Sequence, residues 1–181
     1  MQKLKTLSMK IDRRWFFISL FLMALFMAVI LPIEAHLLNQ YLKGISAPDT
    51  SIFYTAEHLF KIADSLGAEG RRLYIISRIR FDILWPLVYT FFLFTSISLL
   101  YRNDRFLDFL LWIIPLGLIF DLLENTIVSL VFYAYPDEWR ALAHIAGVMT
   151  FFKWFFIFLT AAFLLAGILK RMFRQSETIA T

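Results

Sequence analysis

Carboxylate, amide, imidazole and guanidinium groups recur near one end of four apolar stretches: Glu34, Arg78 with Asp82, Glu124 with Asn125, and His144. Ionisable groups near hydrocarbon are costly. Their presence marks either a functional site or a junction in which polar groups satisfy one another. Carboxylates beside an imidazole and an arginine can relay protons, bind a divalent cation or hold a lipid headgroup. Asp82 and Glu124 are the candidate proton acceptors. Glu34, Arg78, Tyr89, Asn125 and His144 are the candidate ligand-binding groups, with Arg78 as an anchor for an anion. No tight ligand spacing such as His-x-x-x-His accompanies them, so no metal site is expected, and no cofactor motif is present.

The elements that position these groups belong to a membrane protein. Hydrophobic residues make up 60% of the 181-residue chain and aromatics 18%, against roughly 45 to 50% apolar residues in soluble domains. Cysteine is absent, which excludes disulfides, thiolate metal sites and cysteine nucleophiles. There is no phosphate-binding glycine loop, no Gly-x-Ser-x-Gly elbow and no His-Glu-x-x-His. The net charge of +4 comes from basic residues at helix ends and in loops rather than on a soluble module, so no nucleic-acid partner is expected.

The pattern predicts an all-α, polytopic membrane four-helix bundle: one integral membrane domain over residues 1–181, with spans at about 15–36, 83–101, 107–134 and 141–169. The first apolar run follows Lys3, Lys5, Lys10, Arg13 and Arg14. It exceeds the roughly 7 to 15 residues of a signal-peptide core and lacks a small-x-small cleavage site, so a retained anchor is expected. Of the basic residues in the short segments, five lie in the N-terminal tail, two in the 101–105 link and three in the C-terminal tail, against Arg140 alone between spans three and four. That asymmetry places both termini in the cytoplasm. Arg71, Arg72, Arg78 and Arg80, close before span two, weigh against this orientation.

The segment 37–81 is too long for a plain connection and is expected to be an extracytoplasmic, partly helical loop between spans one and two. Thr55 can cap a helix that stops at Gly67, with Leu59, Ile62, Ala63 and Leu66 on one face for packing against the bundle ends. A second helix is expected from near Ala68 without interruption into span two. Along it Arg71, Tyr74, Arg78, Asp82, Trp85 and Tyr89 recur at three- and four-residue steps, which puts them on one face. Arg78 and Asp82, at i and i+4, can pair. Pro86 removes the hydrogen bond that the Asp82 carbonyl would otherwise accept.

Helical rise sets the depths. Asp121 lies about 20 Å from each end of span three, and Lys153 about 18 Å into span four from the opposite direction. A buried ion pair between Asp121 and Lys153 accounts for both. Glu34, Asp82, Glu124 and Asn125 lie about 17 to 19 residues from the cytoplasmic ends of their spans, hence at one level, and His144, only about 5 Å into span four, joins its outer edge.

Gly67-Ala-Glu-Gly70-Arg71-Arg72-Leu-Tyr74, Asp82-Ile-Leu-Trp85-Pro86-Leu-Val-Tyr89, Pro115 before Asp121-Leu-Leu-Glu124-Asn125, Tyr135-Pro136, and Thr150 with Lys153 together resemble a family of bacterial four-span membrane proteins without an assigned activity. The resemblance implies a bacterial inner-membrane location and transfers no reaction. Three functions fit the residues. The first is an outward-facing buried polar pocket that binds, and acts by acid–base chemistry on, a lipid or other amphipathic molecule. The second is a non-enzymatic accessory or assembly subunit of a membrane complex, and the third an ion or proton conduit through Asp121. Membrane lipids are the expected partners, with a homo-oligomer or a membrane-complex partner also in view.

Overall fold

The computed structural model describes residues 2–42, 44, 47, 48 and 51–179, with side chains as far as Phe173. Positions 43, 45, 46, 49 and 50 of the expected first loop lie outside the described residues. The helices are α1 (Gln2–Met9), α2 (Arg13–Leu25), α3 (Leu31–Leu42), α4 (Ala56–Arg80), α5 (Leu84–Leu100), α6 (Leu107–Ala134) and α7 (Arg140–Ile179).

Asp12 starts α2 by accepting from the backbone N–H groups of Arg14 and Trp15 at 2.9 and 3.3 Å, which satisfies two of the donors a helix start leaves open. Between α2 and α3 the chain makes a π-helical turn, Phe26–Ile30. The wider ladder falls just before Pro32, whose ring removes an N–H from the ordinary pattern. The first long helix therefore continues to Leu42, so the beginning of the expected loop is helical.

Thr55 caps α4, its hydroxyl accepting from His58 N–H at 3.3 Å. Gly67 (φ 62°) interrupts α4 with a conformation that side chains resist. The expected uninterrupted passage into α5 is instead broken by a turn at 81–83. Ala56, Leu59, Phe60, Ile62, Ala63 and Leu66 are buried against Val128, Val131 and Phe132 of α6 and Ala143 and Ala146 of α7. The first half of α4 is thus a cap over one end of the bundle. At the other end, Lys5 meets Asp108 at 2.8 Å, Lys170 meets Asp104 at 2.8 Å, and the Arg102 guanidinium donates to the Ile11 carbonyl. These contacts gather the N-terminal segment, the α5–α6 link and the far part of α7.

Three stretches are long and apolar enough to cross a membrane: Arg13–Leu42, Ala56–Leu100 and Arg140–Phe173. The third expected span, α6, is not one of these three. It packs most extensively on α7 and buries one face, while Phe109, Trp112, Ile119, Leu123 and Leu130 are exposed on the other. Solvent-side and interior chemistry are exchanged relative to a water-soluble bundle. Phe17, Phe21, Phe158 and Leu165 point outward, whereas Arg78, Asp121, Glu124, Asn125 and Lys153 are buried. Even α2 and α5 are joined by a buried hydroxyl pair, Ser19 with Thr95 at 2.7 Å, a polar contact suited to helices in lipid. The chain is an integral membrane helical protein.

Candidate functional site

Asn125 organises the polar cluster, because Pro86 leaves a carbonyl without its helical donor. The Asn125 side-chain N–H₂ donates to that carbonyl, Asp82 O, at 3.1 Å and to Asp121 Oδ1 at 3.1 Å. Its oxygen accepts from Arg78 Nη1 at 3.0 Å. One amide from α6 thereby satisfies the proline-freed backbone and ties two charged groups to it. Arg78 also ion-pairs with Asp82 at 2.7 Å, donates to the Tyr74 hydroxyl, and lies over the Tyr74 ring at 4.4 Å. Its cation is fully engaged within the wall of the site.

Lys153 reaches α6 from α7, where its Nζ lies 3.7 Å from Asp121 Oδ1 and 2.5 Å from Glu124 Oε2. The lysine expected to pair with Asp121 therefore sits between two carboxylates and closer to Glu124. Tyr89 of α5 donates to Asp121 Oδ2 at 3.1 Å, and Tyr54 donates to Glu124 Oε1 at 3.3 Å. Buried charges need such saturation, since a single missing partner strands the other in a medium of low dielectric.

Glu34 stands apart from this network. It faces α4 from α3 and accepts from the Ser77 hydroxyl at 2.6 Å. His144 is not brought into the cluster: it is exposed on the first turn of α7, near Glu57. Counting residues sets its distance from the helix end, but not which face of α7 meets the neighbouring helices.

Beside the cluster lies a cavity of about 890 Å³, within the roughly 300 to 1,000 Å³ of small-molecule sites. Glu34, Ser77, Arg78, Asp82, Asp121 and Lys153 line its polar part, and Met23, Met27, Phe92, Leu93, Ile157 and Leu164 its apolar part. It is the wedge left because α2 and α3 pack on α5 and α4, whereas α7 packs on α6, α5 and α4. Met27 on its wall is 57% exposed. Tyr89 also lines the cavity; Glu124 and Asn125 lie behind that lining. Among the described residues no three His, Asp or Glu side chains gather in a way that could hold a metal ion.

Two partners were missed in the sequence. Ser77 follows Tyr74 by three residues and so shares the face of the Arg71–Tyr89 stripe, a signal that was available. Tyr54 precedes α4, 70 residues from Glu124, and no periodicity could place it there. Comparison with known proteins returns no matching family model, curated protein or solved structure, so the likeness to bacterial four-span proteins rests on the motif residues alone.

Proposed function

We propose that this protein binds an amphipathic molecule from the membrane in the wedge between α2–α3 and α7, its polar end at Glu34, Asp82 and Arg78 and its apolar end along Met27, Phe92 and Ile157. The observation that carries this reading is the two-part lining of the 890 Å³ cavity. Hydrocarbon surface and a few convergent polar groups are what such a ligand requires. In this reading α6 is a fourth span, both termini are cytoplasmic by the distribution of Lys and Arg, and the motif resemblance supports a bacterial inner membrane. Asp82, on the cavity wall, is the group that would take a proton from a bound molecule. Glu124 acts from behind the wall by holding Lys153. Mass spectrometry of lipids co-purifying with the full chain tests this. A species enriched over the bulk extract should be lost in Ala161→Trp, which fills the wedge. Identical lipids at identical stoichiometry in both proteins would refute it.

The closed set of contacts joining Arg78, Asn125, Asp121, Lys153 and Glu124 favours a second reading, in which the layer fixes helix register in an accessory subunit. Under that reading Ala161→Trp leaves the bound lipid unchanged.

A further inference from the structure

We infer that the molecule held in the wedge carries an ammonium group, which sits between Glu34 and Asp82; this rests on the cavity reading above and adds the headgroup chemistry. Among the described residues the polar part is lined by three carboxylates, Glu34, Asp82 and Asp121, and two cations, Arg78 and Lys153, with Glu124 behind the lining. Arg78 is matched by Asp82 at 2.7 Å, and Lys153 by Glu124 at 2.5 Å and Asp121 at 3.7 Å. Glu34 is left as the acid to which the described residues bring only a hydroxyl, Ser77 at 2.6 Å.

Position matters as much as charge. Glu34 and Asp82 both line the cavity, while Glu124 and Asn125 are not on its lining. Among the described residues, Glu34 is therefore a carboxylate that a ligand can reach and beside which no cation is placed. An anionic headgroup would add to the negative excess of the described lining residues and would have to take Arg78 from Asp82, Asn125 and Tyr74. A neutral headgroup would leave Glu34 as it is. An ammonium brings the missing positive charge and three donors, in surroundings where the low dielectric makes that pairing count. The Trp85 ring, also on the lining, offers a face for the same cation. The adjoining Met27, Phe92 and Ile157 then take the hydrocarbon chain.

The test uses the purified full chain in phosphatidylcholine nanodiscs, with tryptophan fluorescence referred to empty discs. The probes are dodecylamine, dodecanol and dodecyl phosphate, which share one chain and differ in headgroup charge. Dodecylamine should bind about tenfold more tightly than dodecanol, and dodecyl phosphate more weakly than either. Glu34→Gln should bring dodecylamine to the affinity of dodecanol while leaving dodecanol unchanged. Equal affinities of the wild-type protein for dodecylamine and dodecanol would overturn the ammonium assignment and leave the cavity reading standing, whatever the variant does. Saturable binding of none of the three, or binding indifferent to Ala161→Trp, would instead overturn the cavity reading. Competition by phosphatidylethanolamine in the discs would identify a membrane lipid as the source of the ammonium. Its absence would identify a free amine, and either result supports the headgroup.

Discussion

Replacing Lys153 by Met removes one charge and strands two. Lys153 Nζ lies 2.5 Å from Glu124 and 3.7 Å from Asp121. At an effective dielectric constant near 20, these separations correspond to attractions of about 7 and about 4.5 kcal/mol before desolvation is subtracted. Removing one partner of a buried pair typically costs about 3 to 5 kcal/mol net, and Lys153→Met belongs at the upper end because both carboxylates lose their cation. Asp121→Asn should cost less, since Lys153 keeps its shorter contact. The double variant Lys153→Met with Glu124→Gln should recover part of the loss: Asp121 retains Tyr89 and Asn125 as donors, each at 3.1 Å. Unfolding by sodium dodecyl sulfate in mixed micelles, followed by tryptophan fluorescence, measures these three and the Glu124→Gln single. A Lys153→Met protein within about 1 kcal/mol of wild type, or a double variant whose loss is the sum of the single losses, would show that the lysine is not the counter-charge of this cluster.

Asn125→Ala should cost about 1 to 3 kcal/mol by removing its hydrogen bond to the Asp82 carbonyl. It should cost less in a Pro86→Ala background, where the new N–H can reach that carbonyl; a double-mutant cycle with zero coupling would refute this. Gly147→Ala should destabilise by about 1 to 3 kcal/mol, because an added Cβ would lie 2.2 Å from the Tyr54 backbone oxygen; an unchanged unfolding midpoint would show that the segment before α4 is not seated on α7 as described. On this cysteine-free chain, a cysteine replacing the exposed Lys61 should react with a membrane-impermeant maleimide from outside the cell only. Labelling from the cytoplasmic side alone would reverse the orientation.

Local chemistry was the legible part of this chain. The Thr55 cap, the break at Gly67 and the reach of Arg78 to Asp82 depend on residues within a turn of one another, and each is present in the fold. The carbonyl freed by Pro86 was legible too, but not its donor, because Asn125 comes from another helix. Depth and shared face along one helix follow from counting residues, whereas how that helix is turned toward its neighbours does not. That difference separates Asp82, which lines the cavity, from His144, which is exposed. The preference of Lys153 for Glu124 over Asp121 is a matter of side-chain reach across the α6–α7 contact, which spacing alone does not resolve. The cavity is less legible still, since it is the space two helices leave by packing on different neighbours.

The pairing across that contact also bears on how the chain enters a bilayer. As a fourth span, α6 would carry Asp121, Glu124 and Asn125 into hydrocarbon, at about 2.5 to 3.5 kcal/mol for each charge near the middle of an isolated helix. The counter-charge, Lys153, lies on α7, beyond the short link 135–139. During synthesis α6 would leave the ribosome before its lysine is available. The two helices are therefore best inserted as one hairpin, with α6 waiting at the edge of the insertion machinery until α7 arrives. A truncation after residue 139 would release a helix whose acids have no partner, and quality-control proteases that survey the membrane would meet it first.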